Sequence, residues 1–106
     1  MIVEPANSKE EVFSRIRKES PAITALGVRR IGVFGSFIKD SVHFKSDIDI
    51  CVEFNSGKKN YDSFMELYFL LEQLLGRKIE LVTPESLSKH IGPHILKEVQ
   101  YVPISS

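Results

Sequence analysis

The sequence predicts an α/β sandwich in which helices pack on one face of a β-sheet and the other face stays open for a functional site. Two observations support this class. Segments with helical hydrophobic spacing alternate with short runs rich in Val and Ile. The chain has 106 residues, of which 42% are hydrophobic, enough for one modest core. We therefore treat residues 1–106 as a single domain.

The first half of the chain predicts a helix and a strand. Ser8–Glu11 has the pattern of a capping box, and the apolar residues that follow lie on one helical face: Val12, Phe13 and Ile16. We expect Pro21 to end this helix. Ala22–Leu26 is then predicted as a short turn that Gly27 terminates, and Val28–Phe34 as the first strand.

The second half alternates strand and helix. Asp47–Phe54 is predicted as the second strand, Tyr61–Leu75 as a helix closed by Gly76, and Lys78–Val82 as the third strand. The remaining sequence predicts closing helices that are split at Gly92–Pro93.

Composition narrows the function classes. Lys and Arg total 14, as do Asp and Glu, so the net charge is zero and we expect no direct nucleic-acid binding driven by charge. No apolar run approaches the roughly 20 residues of a membrane span, and the first residues do not resemble a signal peptide. The single cysteine, Cys51, cannot form an intrachain disulfide, and its strand position indicates a small buried residue. We expect a cytoplasmic protein that does not contact the membrane.

The chemistry of the chain is concentrated in one motif. Gly35 and Ser36 end the first strand, and a glycine at such a turn lets phosphate approach the main-chain amides. Asp47 and Asp49 follow on a predicted strand, where alternation places both carboxylates on one face. Paired carboxylates suit a hard divalent ion such as Mg²⁺, which also takes phosphate oxygens. The spacing therefore predicts a site for a nucleotide and a metal ion.

These residues carry a family resemblance. Gly35–Phe54, GSFIKDSVHFKSDIDICVEF, resembles the minimal nucleotidyltransferases of the DNA polymerase β superfamily, whose pattern is Gly-Ser, a short helix with a basic residue, then Ser-Asp-hydrophobic-Asp and a third acid on a later strand. Lys39 falls where the family often has arginine. Glu80 falls where the family usually has aspartate.

The resemblance implies a fold and a set of ligands. It implies a small mixed sheet packed against helices, with ATP as substrate and two Mg²⁺ ions on the open face. The metal ligands, which are also the catalytic residues, would be Asp47, Asp49 and Glu80. The nucleotide-binding residues would be Gly35, Ser36, Lys39 and Ser46. Ser46 would act mainly by holding Asp47 in place through a local hydrogen bond.

The resemblance also implies a partner. Family members of this size typically act as antitoxins of HEPN ribonuclease toxins, and 106 residues leave little for an acceptor pocket. We therefore expect transfer of AMP to a tyrosine or serine hydroxyl of a HEPN-type protein. Two alternatives stay open. One is a weakly active or inactive antitoxin that only binds, favoured by Glu80. The other is a small-molecule nucleotidyltransferase of the aminoglycoside-modifying kind, which the lack of an acceptor domain disfavours.

Overall fold

The computed structural model describes residues 3–39 and 47–104. Its α-helices in those ranges are α1 (Lys9–Lys18), α2 (Ser20–Ala25), α3 (Tyr61–Leu75) and α4 (Gly92–Glu98). Its strands are β1 (Val28–Phe34), β2 (Ile48–Phe54), β3 (Ile79–Val82) and β4 (Gln100–Val102). Single 3₁₀ turns follow β1 and β3, at Gly35–Phe37 and Pro84–Ser86.

The four strands form one mixed sheet in the order β3-β2-β1-β4. β1 is antiparallel to β2 and to β4, whereas β2 and β3 are parallel. The prediction of a small mixed sheet packed against helices is confirmed. β2 lies between β1 and β3, so residues of the first and third strands are brought to either side of the second.

One face of the sheet is sealed by helices. The buried side chains of this face pack against those of α1, α2 and α3 in a single core. The core is formed chiefly by Val12, Ile16, Ile23, Ile31, Val33, Ile48, Ile50, Val52, Leu67, Leu71, Leu75 and Ile79. The alternate residues of the strands point to the opposite face. Burial of the first face therefore dictates which side chains reach the second.

The predicted bounds of β1 and α3 are confirmed. At the start of α3, the Asn60 side chain accepts a hydrogen bond from the Ser63 amide at 2.9 Å. At its end, Gly76 adopts a left-handed conformation with φ of 65°, which a glycine enters without steric penalty. Both ends are thus encoded by local chemistry.

The cap of α1 is half of the predicted capping box. The Ser8 hydroxyl accepts from the Glu11 amide at 3.1 Å, but the Glu11 carboxylate accepts from the Asn7 amide rather than from Ser8. Arg15, further along the helix, donates to the main-chain carbonyls of Leu74 and Leu75. The arginine therefore joins α1 to the unsatisfied carbonyl end of α3.

Three predictions about local structure are wrong. α1 ends at Lys18, and Pro21 lies in the first turn of a second helix, where its missing N–H needs no partner. Ala22–Leu26 accordingly belongs mostly to that helix rather than to a turn. Near the C-terminus, Gly92 begins one helix instead of splitting two. The short strand β4 was not predicted.

Among the helices of the described part of the chain, none combines the length and apolar character required to cross a membrane.

Candidate functional site

The strand register arranges the open face of the sheet in three rows. In the first row, Asp49 of β2 stands between Phe34 of β1 and Glu80 of β3. The middle row places Cys51 beside Gly32 and Val82, and the last row pairs Glu53 with Arg30. We call the first row the site row, because it contains two of the three predicted carboxylates, Asp49 and Glu80, and adjoins the Gly35 turn.

The Gly35 turn closes directly onto the site row. Gly35 has φ of 77°, a backbone conformation that side chains disfavour. A Cβ atom built on Gly35 would overlap the Oδ2 atom of Asp49 and lie 3.1 Å from its carboxyl carbon. The Gly35 carbonyl accepts from the amides of Ile38 and Lys39 at 3.0 and 3.1 Å, which continues the turn. Only glycine fits between the turn and the carboxylate.

The carboxylates of the site repel one another. The pKa of Asp49 is raised to about 6, chiefly by partial burial, and also by the negative charges of Glu80 and Asp47 and by a hydrogen bond with Glu80. Alternation along β3 sends Glu80 to the face of Asp49 if β3 lies beside β2, and the pairing of the two strands meets that condition. Asp47 immediately precedes β2 and is exposed.

A divalent cation is chemically suited to this arrangement. Three carboxylates that interact unfavourably with one another supply hard oxygen donors and an excess of negative charge. Residues 3–39 and 47–104 do not, however, hold three acidic, histidine or cysteine side chains already arranged as metal ligands. The donors fit Mg²⁺ by chemical type and charge, with Asp49 and Glu80 adjacent and Asp47 at the entrance of the strand.

The other residues predicted to bind the nucleotide differ in their surroundings. Ser36 lies in the 3₁₀ turn and is partly exposed beside Gly35. Lys39 is exposed and forms an ion pair with Glu98 of α4, with 3.1 Å between Nζ and Oε1. Ser46 lies outside the described residues. The structure thus places Gly35 and Ser36 together at the site and gives Lys39 a carboxylate partner of its own.

Arg77 packs against the Gly35–Phe37 turn. The sequence analysis did not identify this residue. Its guanidinium carbon lies 5.3 Å from the centre of the Phe37 ring, and Phe37 is the buried last residue of the 3₁₀ turn. The same guanidinium donates to the Ala6 carbonyl and to the Asn7 side chain. Arg77 therefore connects the N-terminal segment, the turn and the start of β3. The only sequence signal was an arginine directly before the predicted strand Lys78–Val82.

At the end of the open face away from the site row, side chains pack against one another. Cys51 is buried and free, and burial raises the pKa of its thiol to about 11, which agrees with the predicted inert role. Beyond it, Glu53 bonds both Arg29 and Arg30 at 2.6 to 2.9 Å. Tyr101 covers Arg30, with 4.1 Å between the guanidinium carbon and the ring centre. The side chains of Glu53, Arg30 and Tyr101 therefore occupy the surface at this end of the open face.

A glycine turn that closes onto a strand carboxylate, on the open face of a mixed sheet, is typical of enzyme domains that handle nucleotides. Residues 9–102 match the nucleotidyltransferase domain family, and the chain belongs to that family. The expected class of enzyme, with a nucleotide as substrate, is confirmed.

Named relatives share most of their length with this chain. Protein adenylyltransferase MntA of Thermococcus cleftensis is 43% identical over 76 residues, which cover 72% of this chain and 76% of that protein. A homologue from Methanocaldococcus jannaschii is 37% identical over 82 residues, covering 77% of this chain and 87% of its own.

Solved structures share the fold. A structure described as a minimal nucleotidyltransferase superposes with a TM-score of 0.67 at 26% identity, covering 83% of this chain and 93% of that one. The complex of a tri-AMPylated Shewanella oneidensis HEPN toxin with its MNT antitoxin contains a chain that superposes with a TM-score of 0.54 at 20% identity, covering 83% and 71%. The predicted nucleotidyltransferase fold is confirmed.

Replacing Asp49 by asparagine should stabilise the metal-free protein. The pKa shift from 3.8 to about 6 corresponds to about 3 kcal/mol, which solvent screening at this partly exposed site reduces to about 1 kcal/mol. Because the folded state holds the proton more tightly, the penalty is absent below about pH 4, where Asp49 is protonated in both states, and complete above about pH 6.

Urea unfolding of Asp49→Asn and wild type between pH 4 and 8, with a chelator present, measures this difference. Glu66→Gln, at an exposed carboxylate of α3, is the control and should give no gain. A variant that is no more stable than wild type at pH 8 would contradict the proposed repulsion.

Replacing Gly35 by alanine should damage the site more than the fold. The added Cβ meets the Asp49 carboxylate, so nucleotide binding should weaken at least about tenfold. Gly57→Ala is a matched control, because Gly57 has φ of 75° and open space around its Cβ position. Both variants should lose about 1 kcal/mol of stability through backbone strain. Calorimetric titration with an ATP analogue would reveal the difference, and equal binding by both variants would refute it.

Proposed function

We propose that this protein transfers AMP from ATP to a hydroxyl group of a HEPN-type toxin and thereby neutralises it. The observation that carries the proposal is the closure of the Gly35 turn onto Asp49, with Glu80 adjacent. This geometry supports the proposal, because phosphate bound at the turn would lie next to a cation held by the carboxylates, as nucleotidyl transfer requires.

The choice of nucleotide and partner rests on the relatives. The Thermococcus cleftensis relative, 43% identical, carries the name protein adenylyltransferase. The Shewanella oneidensis complex pairs an MNT antitoxin with an AMPylated HEPN toxin. By analogy we assign ATP as the donor and a HEPN-type protein as the acceptor. The fold alone would not fix either.

We assign the triphosphate to the Gly35 turn. Absence of a side chain at Gly35 lets phosphate oxygens reach the main-chain amides that follow, and the Ser36 hydroxyl adds a donor. Lys39 would contact phosphate by exchanging its ion pair with Glu98 for the more highly charged ligand. Ser46 would hold Asp47 in place.

Asp47, Asp49 and Glu80 would together hold two Mg²⁺ ions, with Glu80 on the acceptor side of the site. Bound Mg²⁺ supplies charge neutralisation on the phosphates and lowers the pKa of the attacking hydroxyl. The carboxylates themselves would have positioning roles. Asp47 and Asp49 would act by holding the cation beside the turn, and Glu80 would orient the acceptor oxygen.

The reaction is an in-line displacement. The acceptor oxygen forms a bond to the α-phosphorus, the bond between that phosphorus and the bridging oxygen of the β-phosphate breaks, and pyrophosphate leaves. The hydroxyl proton is released to solvent. The acceptor thereby gains a phosphodiester with one negative charge. Near a ribonuclease site, this charge would repel RNA phosphates and the adenosine would block access.

Binding without catalysis is the second candidate, and two features favour it. Glu80 is one methylene longer than the usual aspartate, and a displacement of about 1 Å can reduce a rate on the order of a hundredfold. Lys39 already has a partner in Glu98. In this version the same face would cover the toxin without modifying it.

Variants of Glu80 separate a catalytic from a structural role. Glu80→Asp should preserve or increase transfer, because it restores the shorter acid, whereas Glu80→Gln should slow transfer by at least about a hundredfold while ATP still binds. Glu80 is exposed, so neither change should unfold the protein. Single-turnover transfer of labelled AMP is the measurement. Wild-type rates for Glu80→Gln would make Glu80 an ordinary surface charge.

Mass spectrometry of the co-expressed partner tests the whole proposal. With wild-type protein, the HEPN-type product of the adjacent gene should gain AMP on a tyrosine or serine. With Asp47→Asn it should stay unmodified and toxic. Asp62→Asn, an exposed acid on α3, is the control and should behave as wild type. An unmodified partner neutralised equally by wild type and Asp47→Asn would establish the binding-only antitoxin instead.

A further inference from the structure

The outer edge of β3 is the sheet edge nearest to the carboxylates. β3 is the terminal strand next to β2, whereas the opposite terminal strand, β4, is separated from β2 by β1. Neighbouring strands are about 4.8 Å apart. A segment added outside β4 would therefore lie about 14 Å from Asp49 across the sheet and would meet the filled end formed by Glu53 and Tyr101 first, whereas a segment added outside β3 would lie about 10 Å away.

The main chain of β3 is available for pairing. The Lys78 carbonyl accepts from the Ile48 amide at 3.1 Å, so the main-chain groups of Lys78 and Glu80 face β2. By the alternation of strand hydrogen bonding, those of Ile79 and Leu81 face outward. In the described ranges, no main-chain hydrogen bond reaches that outer side. An unpaired strand edge is a template for another extended chain.

A groove adjoins the same edge. It has a volume of about 410 Å³ and lies between the start of α3 and the end of β3, lined by Lys59, Tyr61, Phe64, Leu81, Val82 and Thr83. Tyr61 is 77% exposed and forms the rim. The Lys59 ammonium bridges Thr83 and Glu85 at the far wall. The lining is mainly apolar, so the groove suits an apolar side chain.

We propose that the acceptor protein docks by adding an extended segment to the outer edge of β3, with its hydroxyl-bearing residue beside Glu80 and the neighbouring residue in the groove. This deepens the proposed function and rests on it. Side chains of an added strand alternate, as do those of β3. A residue paired next to Glu80 points to the face of Asp49, and a residue next to Leu81 points to the opposite face, toward Phe64.

This arrangement explains how a chain with few residues to spare recognises its acceptor. Main-chain pairing supplies affinity without regard to sequence, and the groove selects an apolar residue next to the hydroxyl. The segment that is modified is thereby also the segment that is bound. The acceptor then needs a hydroxyl residue flanked by an apolar one in a stretch able to adopt an extended conformation.

Amide hydrogen exchange by NMR tests the pairing directly. In the complex with the HEPN-type product of the adjacent gene, in the absence of ATP, the amides that face outward, above all Leu81, should exchange at least tenfold more slowly than in the free protein. The Glu80 amide faces β2 and is the internal control, with little change. Unaltered exchange at Leu81 in a complex that forms would overturn the proposal.

Kinetics of two variants provide an independent test. Leu81→Pro removes the outward N–H at a position where an edge strand tolerates proline. It should raise the KM for the acceptor protein at least tenfold and leave ATP binding unchanged. Tyr61→Ala should raise the same KM severalfold. Phe69→Ala is its matched control, because Phe69 is an exposed aromatic residue of α3 outside the groove, with 54% exposure.

The outcomes separate this inference from the proposed function. If wild type does not modify the partner, the proposed function fails. If wild type modifies it and both variants match wild type in KM, docking at β3 fails while the proposed function stands. If Leu81→Pro does not fold, the KM of Tyr61→Ala compared with that of Phe69→Ala still tests docking at β3, because both residues lie at the surface.

Discussion

The contact between the Gly35 main chain and the Asp49 carboxylate is the constraint on which the rest of the site depends. The turn proposed to bind phosphate and the strand proposed to carry metal ligands approach so closely that a Cβ no longer fits between them. The register of β1 against β2 creates this approach, because Phe34 pairs with Asp49 and the turn begins at the next residue. The core enforces that register in turn, since Val33 and Ile50, the next pair along, are both fully buried.

The site is electrostatically expensive, and the surrounding structure offsets this. Asp49 is held beside Glu80 and near Asp47, a gathering of like charges that raises its pKa. The uncharged turn beside these carboxylates is held in place by separate contacts. Phe37 anchors it in the core, and Arg77 stacks beneath Phe37 while bonding the N-terminal segment. Strain at a functional site is thus balanced by packing and hydrogen bonds that lie outside it.

Features encoded by local chemistry were predictable from sequence, and features that depend on distant pairing were not. The Asn60 cap and the left-handed Gly76 define α3, and the apolar run Val28–Phe34 defines β1. β4 has only three residues and exists because β1 offers it an edge, so no periodicity reveals it. At the site, alternation placed Asp49 and Glu80 on one face. The ion pair of Lys39 with Glu98 and the role of Arg77 join residues 59 and 40 positions apart, and only the folded chain brings them together.

The layout of the open face bears on the sides from which the donor nucleotide and the acceptor would approach Asp49. Beyond the site row, Gly32 is covered by Val99 and Tyr101, since a Cβ there would collide with both side chains, and Cys51 is buried. A nucleotide held at the Gly35 turn therefore cannot extend along the sheet toward Glu53. β1 carries the turn on one side of Asp49, and β3 carries Glu80 on the other. In the proposed reaction, the donor would therefore approach from the β1 side and the acceptor from the β3 side. The α-phosphate would then lie over β2, between the group that leaves and the oxygen that attacks.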